Sequence, residues 1–320
     1  MVKTNSIKAW VLAARPKTLA AALVPVLIAI GFALRDCILL AKMNENTSFH
    51  ILVVPTLLCV LFAWVMQIDS NFINDYFDFK RGNDDETRLG PKRACAEGWI
   101  TERAMKIGIA ITTIMACIIG LPLIIYGGIA MILVGAACVL FSFLYTTTFS
   151  YYGMGDVLVL LFFGIVPVCC TYYLIMPEGY NHVTVNVLVA SIACGLVIDT
   201  LLVVNNFRDR DNDKKAGKRT TIVRIIERWG EEQALLLYLL LGYVPIVIMM
   251  IMGIIDTFIV GTETYSLPLY ALYAILHQST YIQMKYIRKG EMLNRVLGAT
   301  ARNIFIFGQI VFFTTLFNTI

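Results

Sequence analysis

The sequence predicts an all-α membrane protein, and three observations lead to that fold class. Of the 320 residues, 58% are hydrophobic and only 15% are charged, whereas a soluble domain carries about 25% charged residues. The mean hydropathy is +0.74. Apolar runs recur at lengths of about twenty residues, which is what a helix needs to cross a hydrocarbon core of roughly 30 Å. The chain is therefore expected to cross a lipid bilayer many times.

We predict nine membrane-spanning helices, because nine sufficiently long apolar runs follow one another along the chain. No polar stretch between them is long enough for a separate soluble domain, so residues 1–320 are expected to form a single domain. The predicted spans cover residues 18–41, 51–78, 104–126, 129–147, 154–176, 183–207, 233–254, 266–286 and 299–319.

The basic residues are distributed unequally between the two sides of the predicted bundle. The N-terminal segment and the loops after spans 2, 6 and 8 hold 24 of the 26 Lys and Arg residues, and only Arg35 and Lys42 fall on the opposite side. Cytoplasmic loops accumulate Lys and Arg. The N-terminus is therefore expected in the cytoplasm and the C-terminus outside. The net charge of +4 gives no indication of a nucleic-acid partner.

The second predicted span ends in a stripe of amides and carboxylates. Asn71, Asn74, Asp75 and Asp78 follow the spacing i, i+3, i+4, i+7, which places them on one face of a helix. A run without any charge precedes them, so this stripe should begin where the helix leaves the apolar core.

The sixth predicted span ends in the same way. Asn206, Asp209 and Asp213 lie within about 60° of one another on a helix. The Asn-x-x-x-Asp spacing of Asn71 and Asp75 also recurs here, from residue 205 to Asp209. We therefore expect the two helix ends to form two halves of one pocket at the cytoplasmic surface.

Two matched carboxylate stripes on one side of the membrane predict a magnesium site. Carboxylates repel one another unless a cation lies between them, and Mg²⁺ is typically held by one or two carboxylates together with substrate phosphates. A diphosphate ligand also suits the surrounding cations, which are Arg81, Arg88, Lys92, Arg93, Lys214, Lys215, Lys218 and Arg219. A self-paired, solvated charged loop is one alternative. A divalent-cation transporter is another, although its carboxylates should lie nearer the bilayer midplane.

Further polar residues lie deeper in the predicted spans. Asp199 falls on the same helix face as Asn206 and lies ten residues before Asp209, roughly 15 Å further into the membrane. Intramembrane carboxylates usually face an interior or a cavity. Asp199 should therefore point into the pocket. Asp69 faces away from the stripe and is expected to pair with a neighbouring helix, through Arg15 or Lys17. His277 is expected to have a packing or hydrogen-bonding role.

At these motifs the chain resembles the UbiA superfamily of intramembrane aromatic prenyltransferases. Its resemblance is greatest to the MenA branch, the 1,4-dihydroxy-2-naphthoate polyprenyltransferases. The segment NDYFDFKRGNDDETRLGPKRA is similar to the branch pattern NDxxDxxxGxD followed by RxGPxR, and NNFRDRDNDKKAGKRT is similar to NNxRDxxxDxxxGKRT. The opening AARPKTL resembles the start of the branch's first helix. The similarity covers the whole chain and implies a UbiA-like bundle.

The resemblance and the surrounding charges together imply a set of site residues. The carboxylates that would act in catalysis and hold Mg²⁺ are Asp75, Asp78, Asp209 and Asp213, and Asp84 is a further metal ligand. The residues that would bind substrate are Arg15, Lys17, Asn71, Asn74, Arg88, Lys92, Arg93, Tyr145, Asp156, Asp199, Asn206, Arg208, Lys218 and Arg219.

The reaction implied by the resemblance joins a polyprenyl diphosphate to an aromatic acceptor in the inner (cytoplasmic) membrane, at a site facing the cytoplasm. Mg²⁺ and basic side chains would stabilise the departing diphosphate, and Tyr145, Phe162 and Phe163 could face the allylic cation. Asp199 or Asp156 could orient the acceptor hydroxyls. With 1,4-dihydroxy-2-naphthoate the ring carboxyl would leave as CO₂, giving demethylmenaquinol for menaquinone biosynthesis.

One loop departs from the branch pattern. The branch usually has Gly-Gly-Pro where this chain has Thr147, Thr148 and Phe149, although Gly155 and Asp156 remain. The change affects the expected shape of the acceptor pocket. Prenyl transfer to 4-hydroxybenzoate, haem or a digeranylgeranylglyceryl lipid therefore stays open as an alternative.

Overall fold

The computed structural model describes residues 2–44, 47–83, 88–260 and 267–317, and within them every side chain except those of Lys17, Ile259, Val260 and Leu267. These ranges are helical and contain no strand. A 3₁₀ turn, Leu121–Leu123, precedes α5, and π-helical segments follow α6 (Tyr145–Phe149) and α7 (Leu160–Ile165). The α-helices are α1 Ile7–Ala14, α2 Pro16–Met43, α3 Val53–Lys80, α4 Glu102–Gly120, α5 Ile124–Gly127, α6 Ala130–Leu144, α7 Gly155–Val159, α8 Val166–Ile175, α9 Val185–Lys215, α10 Thr221–Trp229, α11 Glu231–Val260, α12 Leu267–Ile287 and α13 Leu293–Phe317.

Eight helical segments in the described part of the chain are long and apolar enough to cross a membrane. They match every predicted span except the eighth, so the protein is an integral, multi-pass membrane protein. The eighth predicted span corresponds to α12, which is 21 residues long but carries polar side chains along its length, including His277 and Gln278. The total of nine spans and the orientation of the N-terminus stay predictions.

Several helices extend beyond the apolar runs that predicted them, and two of these extensions matter for the site. Helix α9 continues to Lys215, eight residues past the predicted end at residue 207, and α13 begins at Leu293 rather than at residue 299. Hydropathy detects only the part of a helix that lies in lipid, whereas the backbone stays helical through polar residues at the surface. The extension of α9 keeps Asp209 and Asp213 on one continuous helix.

Helix α9 lies at the centre of the bundle, and 67% of its most apolar stretch is buried. It crosses the π-helical segment Leu160–Ile165 with almost no space between the two backbones. A Cβ atom on Gly164 would lie 2.7 Å from the Cα of Gly195 and 2.7 Å from the carbonyl oxygen of Ser191. Small residues allow such close approach of membrane helices. This crossing lies one helical turn before Asp199.

The intramembrane Asp69 is bound by the neighbouring helix α4. The hydroxyl of Thr112 donates to its Oδ1 at 2.5 Å, and the hydroxyl of Thr113 donates to its Oδ2 at 3.0 Å. Pairing with a neighbouring helix was the expectation, and among the described side chains the partners are these two threonines; the Lys17 side chain lies outside the described residues. Asp69 is fully buried. A neutral hydroxyl partner is less costly to bury at this depth than a second charge.

His277 has the packing role expected from the sequence. Its ring stacks on Tyr238, with centroids 4.8 Å apart, and on Tyr273 at 5.9 Å. Its Nε2 atom lies 3.2 Å from the carbonyl oxygen of Leu239. Gly242 leaves the space for this ring, because a Cβ atom there would lie 2.2 Å from Nε2. His277 therefore joins α12 to α11.

Candidate active site

Asp78, at the end of α3, is the point where the two sequence motifs meet. Its Oδ1 accepts hydrogen bonds from Asn83 at 3.3 Å and from the ammonium group of Lys218 at 3.2 Å. Its Oδ2 accepts one from Arg93 at 3.4 Å. Only 11% of the Asp78 side chain is exposed. The first motif, the loop that follows it and the second motif therefore converge on one carboxylate, as the sequence predicted for the two halves of a pocket.

Lys218 places a positive charge between carboxylates from both motifs. Its backbone follows Gly217, which has a φ of +73°, and its amide donates to the carbonyl of Asp213 at 2.8 Å. Burial alone would lower the pKa of the Lys218 ammonium group, but the carboxylates of Asp78 and Asp213 outweigh that effect and raise it. Lys218 is therefore a permanent cation in the position where the sequence predicted one.

Asp75 holds the loop that carries Arg93. Its two carboxylate oxygens accept hydrogen bonds from the backbone amides of Ala94 at 2.9 Å and Cys95 at 2.8 Å. Charge-assisted hydrogen bonds of this kind are roughly twice as strong as neutral ones. The contact fixes the residue before Ala94, so that Arg93 points at Asp78.

Arg208 and Asp209 form a bidentate pair with each other. The guanidinium Nε and Nη2 atoms donate to Oδ1 and Oδ2 of Asp209 at 2.8 and 2.6 Å, and Nη1 donates to Asn294 at 2.8 Å. Asn294 in turn donates to the carbonyl of Leu89 at 2.8 Å. Asn294 thus joins the second motif to the loop of the first. Sequence analysis missed it, because it lies in α13, far from either motif.

The amides of the first stripe bind the helices on either side of α3. Asn71 donates to the carbonyl of Ala14 at 3.0 Å, and Arg15 donates to the Asn71 side chain at 3.4 Å. Asn74 accepts a hydrogen bond from the hydroxyl of Thr146. Residues that share one helix face therefore bind different parts of the chain, and Arg15 lies beside the stripe as expected.

Tyr151 is a second residue that sequence analysis missed. The Arg81 guanidinium lies 4.6 Å from the centre of its ring, and the Lys218 ammonium lies 5.4 Å from it. Arg81 also donates to the carbonyl oxygens of Thr146 at 3.2 Å and Thr147 at 2.5 Å. The sequence does contain a signal for this residue. Tyr151 is an aromatic residue just before the glycines that remain in the loop that differs from the branch pattern.

A small cavity lies beside the start of α10. It is bordered by Tyr145, Asp156 and Asn206, three of the predicted substrate-binding residues. The hydroxyl of Thr221, at the start of α10, donates to Asp156. Asp199 is buried on α9, two helical turns before Asn206, and its pointing into the cavity stays a prediction.

Three predicted basic residues find other partners in this structure. Lys92 pairs with Glu97 at 2.7 Å and Arg219 with Glu227 at 3.5 Å, and both basic side chains are 68% exposed. Arg88 donates to the carbonyl of residue 91 at 3.1 Å. Two further predicted residues lie outside the described part of the structure, namely Asp84 and the side chain of Lys17.

The four predicted metal ligands that the structure describes are not gathered into one group. Among the described residues, no set of three or more His, Cys, Asp or Glu side chains lies close enough together to hold a metal ion. Asp75 accepts hydrogen bonds from backbone amides, and Asp209 accepts them from Arg208. Asp78 and Asp213 both interact electrostatically with Lys218. Two carboxylates fit an ion that takes its other ligands from phosphate and water, which is how Mg²⁺ is commonly bound.

The fold and the site define an all-helical membrane protein with a charged pocket at one end of its bundle. A sequence model of the UbiA prenyltransferase family matches residues 22–291, and the chain belongs to that family. It is 31% identical over 229 residues to the 1,4-dihydroxy-2-naphthoate octaprenyltransferase of Escherichia coli K12, covering 69% of each chain. It is 32% identical over 232 residues to the protein of the same name in Mycobacterium tuberculosis, covering 72% of each.

A solved structure supports the fold assignment. The chain resembles a UbiA homologue from Archaeoglobus fulgidus, whose structure contains DMAPP and Mg²⁺, with a TM-score of 0.59 over 95% of this chain and 98% of that one. The sequence identity is 14%, so this likeness concerns the fold. Membership of the family confirms the predicted prenyltransferase class over a cation transporter.

Proposed function

We propose that this protein transfers a polyprenyl group from polyprenyl diphosphate to 1,4-dihydroxy-2-naphthoate with loss of CO₂, giving demethylmenaquinol for menaquinone biosynthesis. The observation that carries the proposal is the convergence of both motifs on Asp78 and Lys218. The bacterial relatives named 1,4-dihydroxy-2-naphthoate octaprenyltransferase support the choice of acceptor. The reaction takes place at the cytoplasmic face of the inner membrane, with the prenyl tail along the apolar bundle.

The donor diphosphate binds at the surface end of the pocket. Lys218 and Arg93 both reach Asp78, and they exchange this carboxylate for phosphate oxygens when the donor enters. Tyr151 and Arg81 close one side of this position. Bond cleavage places negative charge on the leaving diphosphate. Cations that are already in position stabilise that charge, because nothing around them has to reorganise as the charge develops.

Asp78 and Asp213 would hold Mg²⁺ together with the diphosphate. Their carboxylate oxygens are hard ligands, and the donor supplies the remaining oxygens. When bound, the ion would neutralise charge on the leaving group. Asp75 and Asp209 support this position by holding Arg93 and Arg208, and Asp84 is proposed as an additional ligand.

The acceptor binds where Tyr145 and Asn206 border the cavity. The cavity, of about 20 Å³, has room for about one water molecule and must enlarge for the rings to enter. Its ring hydroxyls face the carboxyl groups of Asp156 and Asp199, and its reacting carbon faces the donor. Tyr145, Phe162 and Phe163 provide aromatic faces for the allylic cation, because the quadrupole of an aromatic ring attracts positive charge.

The decisive experiment uses purified protein, a long all-trans polyprenyl diphosphate and acceptor labelled in its carboxyl group. Prenylated naphthoquinol and one equivalent of labelled CO₂ are expected for each transfer. In parallel reactions, 4-hydroxybenzoate should be the poorer substrate, because a missing ring removes apolar contact and each methylene-sized loss costs about 1–3 kcal/mol. Product that keeps the label, or a preference for 4-hydroxybenzoate, would refute the acceptor assignment.

A further inference from the structure

Tyr151 lies between the two sequence motifs and is bound by both of them. Its hydroxyl accepts a hydrogen bond from Asn83 of the first motif at 2.8 Å, and the same amide nitrogen donates to Asp78 at 3.3 Å. Its backbone carbonyl accepts a hydrogen bond from the amide of Arg219, in the second motif, at 3.0 Å. The tyrosine is therefore held at its hydroxyl and at its main chain, which fixes the position of the ring.

Two basic side chains, one from each motif, lie against that ring. The Arg81 guanidinium is 4.6 Å from the ring centre and the Lys218 ammonium is 5.4 Å from it. Both distances are within the roughly 6 Å over which an aromatic ring attracts a cation. Within the described part of the chain, Tyr151 is the one aromatic residue that has two cations at its ring.

The ring holds these cations without neutralising them. An aromatic ring attracts positive charge through its quadrupole but has no net charge of its own. The Arg81 guanidinium also donates to neutral groups, the carbonyl oxygens of Thr146 and Thr147. Lys218 pairs with Asp78, an anion that a phosphate oxygen can replace. Two like charges at one ring repel each other, and an anion with several oxygens relieves that repulsion.

We propose that Tyr151 is a positioning residue for the donor diphosphate. Its ring keeps Lys218 and Arg81 in place while Lys218 exchanges Asp78 for a phosphate oxygen, and Arg81 becomes a second cation for the same diphosphate. This role of Tyr151 rests on the proposed function, in which Lys218 binds the donor. Without the ring, the ligand itself would have to order both long side chains, and that ordering weakens binding.

The first test measures how tightly purified protein binds a non-reactive polyprenyl thiolodiphosphate in the presence of Mg²⁺, with no acceptor added. Tyr151→Leu removes the ring and should weaken binding about tenfold, which corresponds to about 1.4 kcal/mol. Tyr151→Phe keeps the ring and should restore most of the affinity. The matched control is Tyr152→Leu, because the neighbouring Tyr152 is 64% exposed. It should bind like the wild type.

A series of fluorinated rings separates the electronic effect of the ring from its shape. Each fluorine atom weakens the attraction of the ring for cations and changes its size little. With phenylalanine and its mono-, di- and trifluoro analogues at position 151, affinity for the thiolodiphosphate should fall step by step. Adding Arg81→Gln and Lys218→Gln to each member should abolish this dependence. The series also keeps the role of Tyr151 testable if Tyr151→Leu fails to fold.

The outcomes distinguish this role from the proposed function. The same affinity across the fluorinated series, or equal binding by Tyr151→Leu and the wild type, overturns the positioning role and leaves the proposed function intact. Wild-type binding without prenyl transfer to the naphthoate refutes the proposed function alone, because a stepwise fall across the series still supports the role of Tyr151. Absence of thiolodiphosphate binding by the wild type refutes both.

Discussion

The Asp78–Lys218 contact joins the two halves of the site, and a double-mutant cycle with Asp78→Asn and Lys218→Gln should measure it. The charged atoms are 3.2 Å apart, and the side chains are 11% and 14% exposed. Breaking a buried pair costs about 3–5 kcal/mol. Each single change should fall near the lower end of that range, because Asp78 keeps Arg93 and Lys218 keeps Asp213 as a partner.

The coupling should appear as non-additivity. The double variant should be destabilised by less than the sum of the single variants, with a difference of about 0.5–3 kcal/mol for residues in contact. Reversible unfolding in mixed micelles gives the four free energies of unfolding. The matched control is the pair Lys214–Glu227, at 3.0 Å with side chains 65% and 35% exposed, where exposed pairs give about 0.2–1 kcal/mol. Additivity at Asp78 and Lys218 would refute the geometry.

The same variants should lose transfer activity. Hydrogen bonds to charged groups contribute about 1.5–3 kcal/mol, and each 1.4 kcal/mol is a factor of about ten, so kcat/KM for the donor should fall roughly 10- to 150-fold.

The raised pKa of Lys218 determines how the stability from this ion pair depends on pH. Its ion pair contributes fully below the ordinary lysine pKa of about 10.4 and is lost only as pH rises through the raised value. Loss of the pair at neutral pH would contradict this assignment.

Three further outcomes are expected. Gly164→Ala should strongly reduce stability and activity, because its Cβ would meet backbone atoms of Gly195 and the preceding turn at 2.7 Å. A loss of less than about 1 kcal/mol in the free energy of unfolding, smaller than overpacking usually costs, would contradict the close crossing. EDTA should abolish transfer and Mg²⁺ should restore it, and activity that survives chelation would remove the metal from the proposal. A cysteine at Lys214 should be labelled only from the cytoplasmic side and one at Met43 only from outside, and the reverse pattern would invert the predicted topology.

The sequence predicted the fold class, the family and the meeting of the two motifs, because each depends on features that a linear pattern contains. Apolar length indicates a membrane helix, and helical spacing places polar groups on one face. Spacing does not identify the partner that each group finds. Asp75 and Asp78 are on one stripe, yet Asp75 binds backbone amides and Asp78 binds Lys218, and Asn294 enters the site from another helix.

The loop that departs from the family pattern is held in place by a different interaction. Tyr145–Phe149 forms a π-helical turn, in which the amide of Ser150 donates to the carbonyl of Tyr145 at 2.9 Å. The wider turn leaves the carbonyls of Thr146 and Thr147 available, and Arg81 binds both of them. Glycine and proline would shape this loop through backbone preference alone. Here Arg81, which belongs to the first motif, binds the loop, so the wall of the proposed acceptor cavity is coupled to the helix proposed to bind the donor.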